Sequence, residues 1–109
     1  MATLDLPVPP ESLRIWVGPF SDAELFVRSG EQTLNEIVDL CGLPADSRVL
    51  EIGCGCGRLS RAFAGYLSPE GRYEGLDVAR VLVEWCRQIR SHQISQDYVV
   101  ARKHVLDRE

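Results

Sequence analysis

The sequence predicts an α/β fold in which amphipathic helices alternate with the strands of a parallel sheet. Two short apolar runs, residues 48–53 and 73–77, have the length and composition of strands, and residues 98–101 are a candidate third strand. The first run is apolar enough to be a buried strand. The segments before and between the runs carry apolar residues at the spacing of one helical face. Strands that alternate with helices in this way form parallel βαβ units with right-handed crossovers.

Length and composition fit a single domain. The chain has 109 residues, of which 45% are hydrophobic and 26% are charged, and its formal net charge is -4. These values exclude collagen-like, low-complexity and strongly disordered proteins. The mild acidity gives no electrostatic reason for binding nucleic acid or an anionic membrane, so we expect neither partner.

The N-terminus and the cysteines indicate the compartment. The chain lacks the basic and apolar segments of a secretory signal, and no apolar run approaches the ~20 residues that span a bilayer. We therefore expect a cytoplasmic protein whose cysteines are thiols. Cys54 and Cys56 have no second pair at ligand spacing, so we expect no metal site and interpret them as small apolar residues of a tight loop. Cys41 and Cys86 lie on apolar helical faces and are expected in the core.

Local signals mark the first elements. Residues 1–20 are predicted to form an extended lead-in, because three prolines fall within a few positions of one another. A helix is predicted to begin at Ser21, since Ser21 and Glu24 have the spacing of a capping box. Gly30 is expected to end or bend this helix. The helical face that follows, at residues 34–41, is predicted to end at Gly42, which a proline follows shortly. Two further helical faces follow, at residues 59–67 and 82–89.

A glycine-rich loop follows the first predicted strand. Glycine occupies every second position, at Gly53, Gly55 and Gly57. Only glycine adopts a positive φ without strain, so the chain can turn sharply from strand to helix here. The loop lies at the carboxyl end of its strand, where open α/β sheets bind their ligands.

Two ligand classes use loops of this kind. A dinucleotide-binding loop has the pattern G-x-G-x-x-G, with a third glycine or alanine three positions after the second glycine. That position falls here on Arg58 or Ser60, depending on the register. The dinucleotide pattern therefore fails in both registers. The other pattern, an acidic residue followed by G-x-G-x-G, is present from Glu51 to Gly57.

With that loop at its centre, the segment of residues 48–89 resembles the N-terminal, cofactor-binding part of the class I S-adenosylmethionine-dependent methyltransferases. Asp77, 20 residues after Gly57, resembles the second motif of that family. The resemblance implies a Rossmann-like three-layer sandwich with a parallel sheet. It also implies S-adenosyl-L-methionine as the cofactor.

The resemblance further implies which residues hold the cofactor. Glu51 would bind the ammonium of its methionine part, Asp77 would accept hydrogen bonds from both ribose hydroxyls, and Val78 would lie against adenine. The loop residues beside the methionine part would be Gly53, Cys54, Gly55 and Gly57. Two alternatives stay open. Glu51 could be a surface or helix-facing acid, and Asp77 could be the N-cap of the helix that begins near Ala79, either instead of binding the ligand or in addition to it.

The resemblance implies a methyltransferase, with a small molecule as the expected but unidentified acceptor. Residues 21–109 are predicted to be a partial methyltransferase domain, because a complete domain of that family has a seven-stranded sheet. In such a cofactor-binding half the first strand is an unpaired edge, which favours self-association or completion by a partner. The alternatives are a non-catalytic cofactor-binding remnant or interaction module, and an NAD-dependent oxidoreductase. The sequence assigns no catalytic residue.

Overall fold

A computed structural model describes residues 6–91 and 94–101, in which helices alternate with three parallel strands. The elements in chain order are α1 (Glu11–Arg14), α2 (Ala23–Cys41), β1 (Arg48–Ile52), α3 (Arg58–Ala64), β2 (Arg72–Asp77), α4 (Arg80–Ile89) and β3 (Ser95–Val100). The strands form one sheet in the order β1-β2-β3. The predicted α/β class with a parallel sheet is confirmed.

The register of the sheet brings the carboxyl ends of the strands together. Ile52 of β1 pairs with Leu76 of β2, and Asp77 pairs with Val100 of β3. The glycine loop after β1 therefore lies beside Asp77, as the sequence predicts. Strand β3 begins three residues earlier than predicted, because its first half, Ser95-Gln96-Asp97, is polar and shows no apolar run.

Helix α2 begins and ends at residues suited to those positions. Asp22, rather than Ser21, is the N-cap, and its carboxylate accepts hydrogen bonds from the backbone N–H groups of Glu24 and Leu25. Gly42 ends the helix with a left-handed φ of 62°. Both predicted boundaries are confirmed to within two residues.

The four cysteines are free, and three of them are buried. Cys86 lies in the core as predicted, and Cys54 and Cys56 are also enclosed. The prediction that Cys41 lies in the core is wrong, since its side chain is exposed. Cys41 is the last residue of α2, and the neighbouring Leu40 is 85% exposed, whereas Val38 still packs against the core.

The described helices cover one face of the sheet. On that face Tyr73 and Tyr98 pack with Phe63 of α3 in the main core. On the opposite face Leu50 and Ile52 are 60% and 80% exposed. The prediction of a buried first strand is wrong on this side, because β1 is an edge strand that no described helix covers there. Of the three predicted layers, the described residues form the sheet and one helical layer.

The N-terminal segment folds back against the domain. Helix α1 forms a single turn within the predicted lead-in. Buried Arg14 donates hydrogen bonds to the carbonyl oxygens of Pro9, Phe20 and Ser21, at 2.6, 2.9 and 2.7 Å. A second core cluster joins this segment to the rest of the chain, with Val8, Leu13 and Val17 packed on Phe26, Cys56 and Leu82. The domain boundary between residues 20 and 21 stays a prediction.

Candidate cofactor-binding site

The glycine loop adopts the backbone that its sequence requires. The φ angles of Gly53, Gly55 and Gly57 are 85°, 58° and 94°, all in the region that strains other residues. Gly57 is also the N-cap of α3, where no side chain caps the first turn. The predicted sharp turn from strand to helix is confirmed.

Backbone hydrogen bonds tie the loop to β2. The N–H groups of Gly53 and Cys54 both donate to the carbonyl oxygen of Leu76, at 2.7 and 2.9 Å. The N–H of Gly57 donates to the carbonyl oxygen of Cys54 at 3.2 Å, which closes the loop on itself. The loop is therefore fixed relative to the carboxyl end of β2.

Asp77 provides the side-chain link between the two strand ends. Its Oδ2 accepts a hydrogen bond from the N–H of Gly55 at 2.9 Å, and its Oδ1 accepts one from the N–H of Ala79 at 2.9 Å. The N-cap residue of α4 is Ala79, so Asp77 shapes the turn that leads into α4 instead of capping the helix itself. Each carboxylate oxygen has a second lone pair, which leaves both able to accept a ribose hydroxyl.

Glu51 lies on the covered face of β1, half-buried beneath the loop. Its Oε1 accepts a hydrogen bond from the hydroxyl of Tyr73 at 2.5 Å. Burial raises the pKa of Glu51 above its ordinary value, the hydrogen bond from Tyr73 and the charge of Arg58 lower it, and the charge of Asp77 raises it. Glu51 and Asp77 are therefore close enough to interact electrostatically, as a shared ligand requires.

The open part of the site lies at Gly53 and Val78. A β-carbon on Gly53 would meet no atom within 4 Å, so a ligand has room to lie against this backbone. Val78 is 60% exposed directly after β2 and offers an apolar surface to a flat ring. Cys54, Gly55 and Gly57 are buried, and they shape the loop from below. These residues fit a cofactor with an ammonium group, a ribose diol and an adenine ring.

The N-terminal segment covers the middle of the loop, which the sequence did not predict. A β-carbon on Gly55 would lie 2.6 Å from Cγ1 of Val17, so these two residues are in contact. The thiol of Cys56 faces the carbonyl oxygen of Leu13 at 3.8 Å. Leu13 and Val17 are spaced four residues apart, and this spacing is the only signal in the sequence that the lead-in has an apolar face.

The buried thiols support the loop, and that of Cys56 is a poor nucleophile. Cys86 and Cys54 both direct their sulfurs at the carbonyl oxygen of Gly55, at 3.5 and 3.8 Å. Burial raises the pKa of Cys56 to about 11. Within residues 6–91 and 94–101, no group of three cysteine, histidine or acidic side chains is placed to hold a metal ion.

The fold and the glycine loop are those of the class I S-adenosylmethionine-dependent methyltransferase family that the sequence resembles. The model of the family described as protein-L-isoaspartate(D-aspartate) O-methyltransferase matches residues 24–104, which is most of the chain. The chain belongs to this family. The methyltransferase resemblance and the S-adenosyl-L-methionine cofactor predicted from the sequence are confirmed, and the NAD-dependent oxidoreductase is not supported.

Two solved structures are similar to this chain. A cyclopropane-fatty-acyl-phospholipid synthase-like protein from Lactobacillus casei matches with a TM-score of 0.53 and 20% identity, over 81% of this chain and 38% of its own. An arsenic(III) S-adenosylmethionine methyltransferase from Chlamydomonas reinhardtii matches with a TM-score of 0.44 and 20% identity, over 57% of this chain and 24% of its own. The first shows the Rossmann-like fold. The chain spans less than two fifths of either structure.

No described helix has both the length and the apolar character needed to cross a bilayer. The expected location and partners stay predictions.

Proposed function

We propose that this chain forms the cofactor-binding half of an S-adenosylmethionine-dependent O-methyltransferase. One observation supports this most strongly: the three positive-φ glycines lie between two acids, Glu51 and Asp77, at the ends of adjacent strands. One acid suits an ammonium group and the other suits a vicinal diol. A purely structural turn accounts for Asp77, which holds the N–H groups of Gly55 and Ala79, but it does not account for a half-buried acid at Glu51.

Each proposed ligand has a distinct part in holding the cofactor. The carboxylate of Glu51 binds the ammonium, the carboxylate of Asp77 binds the ribose hydroxyls, and Val78 covers the adenine. Open space at Gly53 admits the methionine part. The bound cofactor supplies an electrophilic methyl group on a sulfonium. The protein contributes mainly by holding donor and acceptor close and in line.

The acceptor we propose to test first is a carboxylate oxygen of an L-isoaspartyl residue in a protein. The description of the family supports this choice, since it names protein L-isoaspartate. The small-molecule acceptor expected from the sequence is the alternative. A carboxylate oxygen is already a nucleophile at neutral pH, so this reaction requires less from a general base than transfer to a hydroxyl does.

Isothermal titration calorimetry with S-adenosylhomocysteine and with NAD tests the cofactor assignment. We expect binding of the former alone. Asp77→Ala should weaken that binding by about tenfold or more, because it removes hydrogen bonds to a charged acceptor. Asp97→Ala is the matched control, since Asp97 lies on the open face of β3 and pairs with Arg72. Equal affinities of the folded wild type and Asp77→Ala would refute the role of Asp77.

Methyl transfer from labelled S-adenosylmethionine to an isoaspartyl peptide tests the acceptor, with the aspartyl peptide of the same sequence as control. Labelling of the isoaspartyl peptide alone supports the proposed acceptor. Binding of S-adenosylhomocysteine without any transfer would instead identify the chain as a non-catalytic cofactor-binding module.

A further inference from the structure

We infer that Tyr73 is a positioning residue for the cofactor: its buried hydroxyl holds the Glu51 carboxylate in the orientation and charge state that bind the ammonium. This inference rests on the proposed function. Tyr73 acts only through Glu51 and touches no reacting group. No motif of the sequence marks Tyr73, which is simply an aromatic residue near the start of β2.

Packing leaves the Tyr73 side chain a single position. The residue is fully buried, and its ring packs against those of Phe63 and Tyr98, with ring centroids 5.8 and 5.7 Å away. A fully buried aromatic ring that packs against two others cannot change rotamer without moving its neighbours. The hydroxyl is therefore a fixed donor, and Glu51 must adapt to it.

The sheet register explains how the hydroxyl reaches Glu51. Tyr73 pairs with Val49, and Glu51 pairs with Gly75, so the two side chains are diagonal neighbours on the covered face. Gly75 leaves the space between them open. A β-carbon there would lie 3.0 Å from the Tyr73 hydroxyl and 2.9 Å from the β-carbon of Cys54. Any larger residue at this position would obstruct the contact.

The bond engages one oxygen of the carboxylate. Tyr73 donates to Oε1 of Glu51, and Oε2 takes part in no hydrogen bond with the described residues. A carboxylate oxygen can accept more than one hydrogen bond, so Oε2 keeps its full accepting capacity for a ligand. The arrangement presents Oε2 to a ligand with its direction already set, which lowers the entropy lost on binding.

Electrostatics gives the hydroxyl a second effect. Burial raises the pKa of Glu51 and so favours its neutral form, which would not attract an ammonium. Among the groups that face Glu51, the hydrogen bond from the Tyr73 hydroxyl and the charge of Arg58 on α3 lower its pKa, and the charge of Asp77 raises it. The phenol of Tyr98 and the thiol of Cys86 also face the Glu51 carboxylate. Burial raises the pKa of Tyr98, and a hydrogen bond with the thiol of Cys54 together with burial raises the pKa of Cys86. Both groups therefore stay neutral.

The test compares Tyr73→Phe with the wild type in S-adenosylhomocysteine affinity from pH 5 to 8.5. Wild-type affinity should fall on the acidic side, where Glu51 becomes protonated. In Tyr73→Phe this fall should move to higher pH, and affinity at pH 7 should drop about tenfold or more, as for loss of a hydrogen bond to a charged group. Tyr98→Phe is the matched control. It removes the hydroxyl of the adjacent buried tyrosine, which donates to Ser60 Oγ at 2.9 Å, and should leave the pH profile unchanged.

A wild-type pH profile in folded Tyr73→Phe would overturn the inference. Lack of wild-type binding at every pH would overturn the proposed function and the inference with it. If Tyr73→Phe is too unstable to assay, the double variant Glu51→Gln, Tyr73→Phe replaces it, because it leaves no charged carboxylate unpaired. It should bind like Glu51→Gln alone, and a further loss in the double variant would show that Tyr73 does not act through Glu51.

Discussion

Asp77 shows how one side chain can serve several structural purposes. From the sequence it is a ribose ligand, a helix cap or both together. In the structure its two oxygens hold the backbone N–H groups of Gly55 and Ala79, so one carboxylate connects the glycine loop, β2 and the turn into α4. The second lone pair on each oxygen keeps the proposed ligand role compatible with both contacts.

Glu51 should make the stability of the protein depend on pH. Because burial raises its pKa in the folded state, the folded protein binds this proton more tightly than the unfolded chain does. The contribution of Glu51 to the free energy of unfolding is therefore full below about pH 4.5, its ordinary pKa, and is lost as the pH rises through the folded value. Glu51→Gln should abolish this fall, and urea unfolding from pH 4 to 7.5 measures it.

The same substitution should weaken binding of S-adenosylhomocysteine while leaving the protein at least as stable at neutral pH. Such opposite effects are typical of a charged group kept for function in a site that does not favour it. A parallel pH dependence of stability in Glu51→Gln and wild type would contradict the assignment. Glu36→Gln, on the exposed side of α2, is the control.

At the scale of elements, the crossing of α2 and α3 depends on Gly30. A β-carbon at this position would lie 2.1 Å from the carbonyl oxygen of Arg58, at the start of α3. The Arg58 side chain adds hydrogen bonds to Ser29 Oγ and Thr33 Oγ1, at 3.4 and 3.2 Å. Since α3 begins where the glycine loop ends, this crossing also fixes the loop.

We expect Gly30→Ala to destabilise the protein by about 1–3 kcal/mol, although alanine is the better helix former, because the two backbones must move apart. Asn35→Ala, at an exposed position of the same helix, should instead be neutral or stabilise by up to ~0.7 kcal/mol. Urea denaturation of both variants measures the difference. A stabilised Gly30→Ala would mean that the helices do not cross as closely as described.

At the scale of the whole molecule, the described residues cover one face of the sheet and leave the other face open. In the described part of the chain β1 pairs with β2 alone, so its outer edge offers unpaired backbone groups next to exposed Leu50 and Ile52. An apolar, unpaired edge of this kind is prone to pair with another strand. Self-association through the edge of β1 stays a prediction, and a substitution on that strand can test it.

Ile52→Lys should weaken self-association about tenfold or more, since it replaces an apolar contact with a charge on the edge strand. Leu40→Lys is the matched control, because Leu40 is equally exposed, at 85% against 80%, but lies on α2. Sedimentation velocity over a range of concentrations measures the effect. A wild-type chain that stays monomeric throughout would contradict the prediction.

The sequence alone determined the order of helices and strands, the turn at the glycine loop and the class of cofactor. The order of elements and the turn follow from hydrophobic period, from capping and from the positive φ at glycine, all of which act over a few neighbouring residues. The class of cofactor follows from the resemblance of residues 48–89 to the methyltransferase family. Only the tertiary structure revealed the contact of Tyr73 with Glu51, the hydrogen bond from the Gly55 N–H to Asp77 and the contact of Val17 with Gly55. These contacts join residues that lie 22 or more positions apart, and strand register and helix packing, rather than local pattern, bring them together.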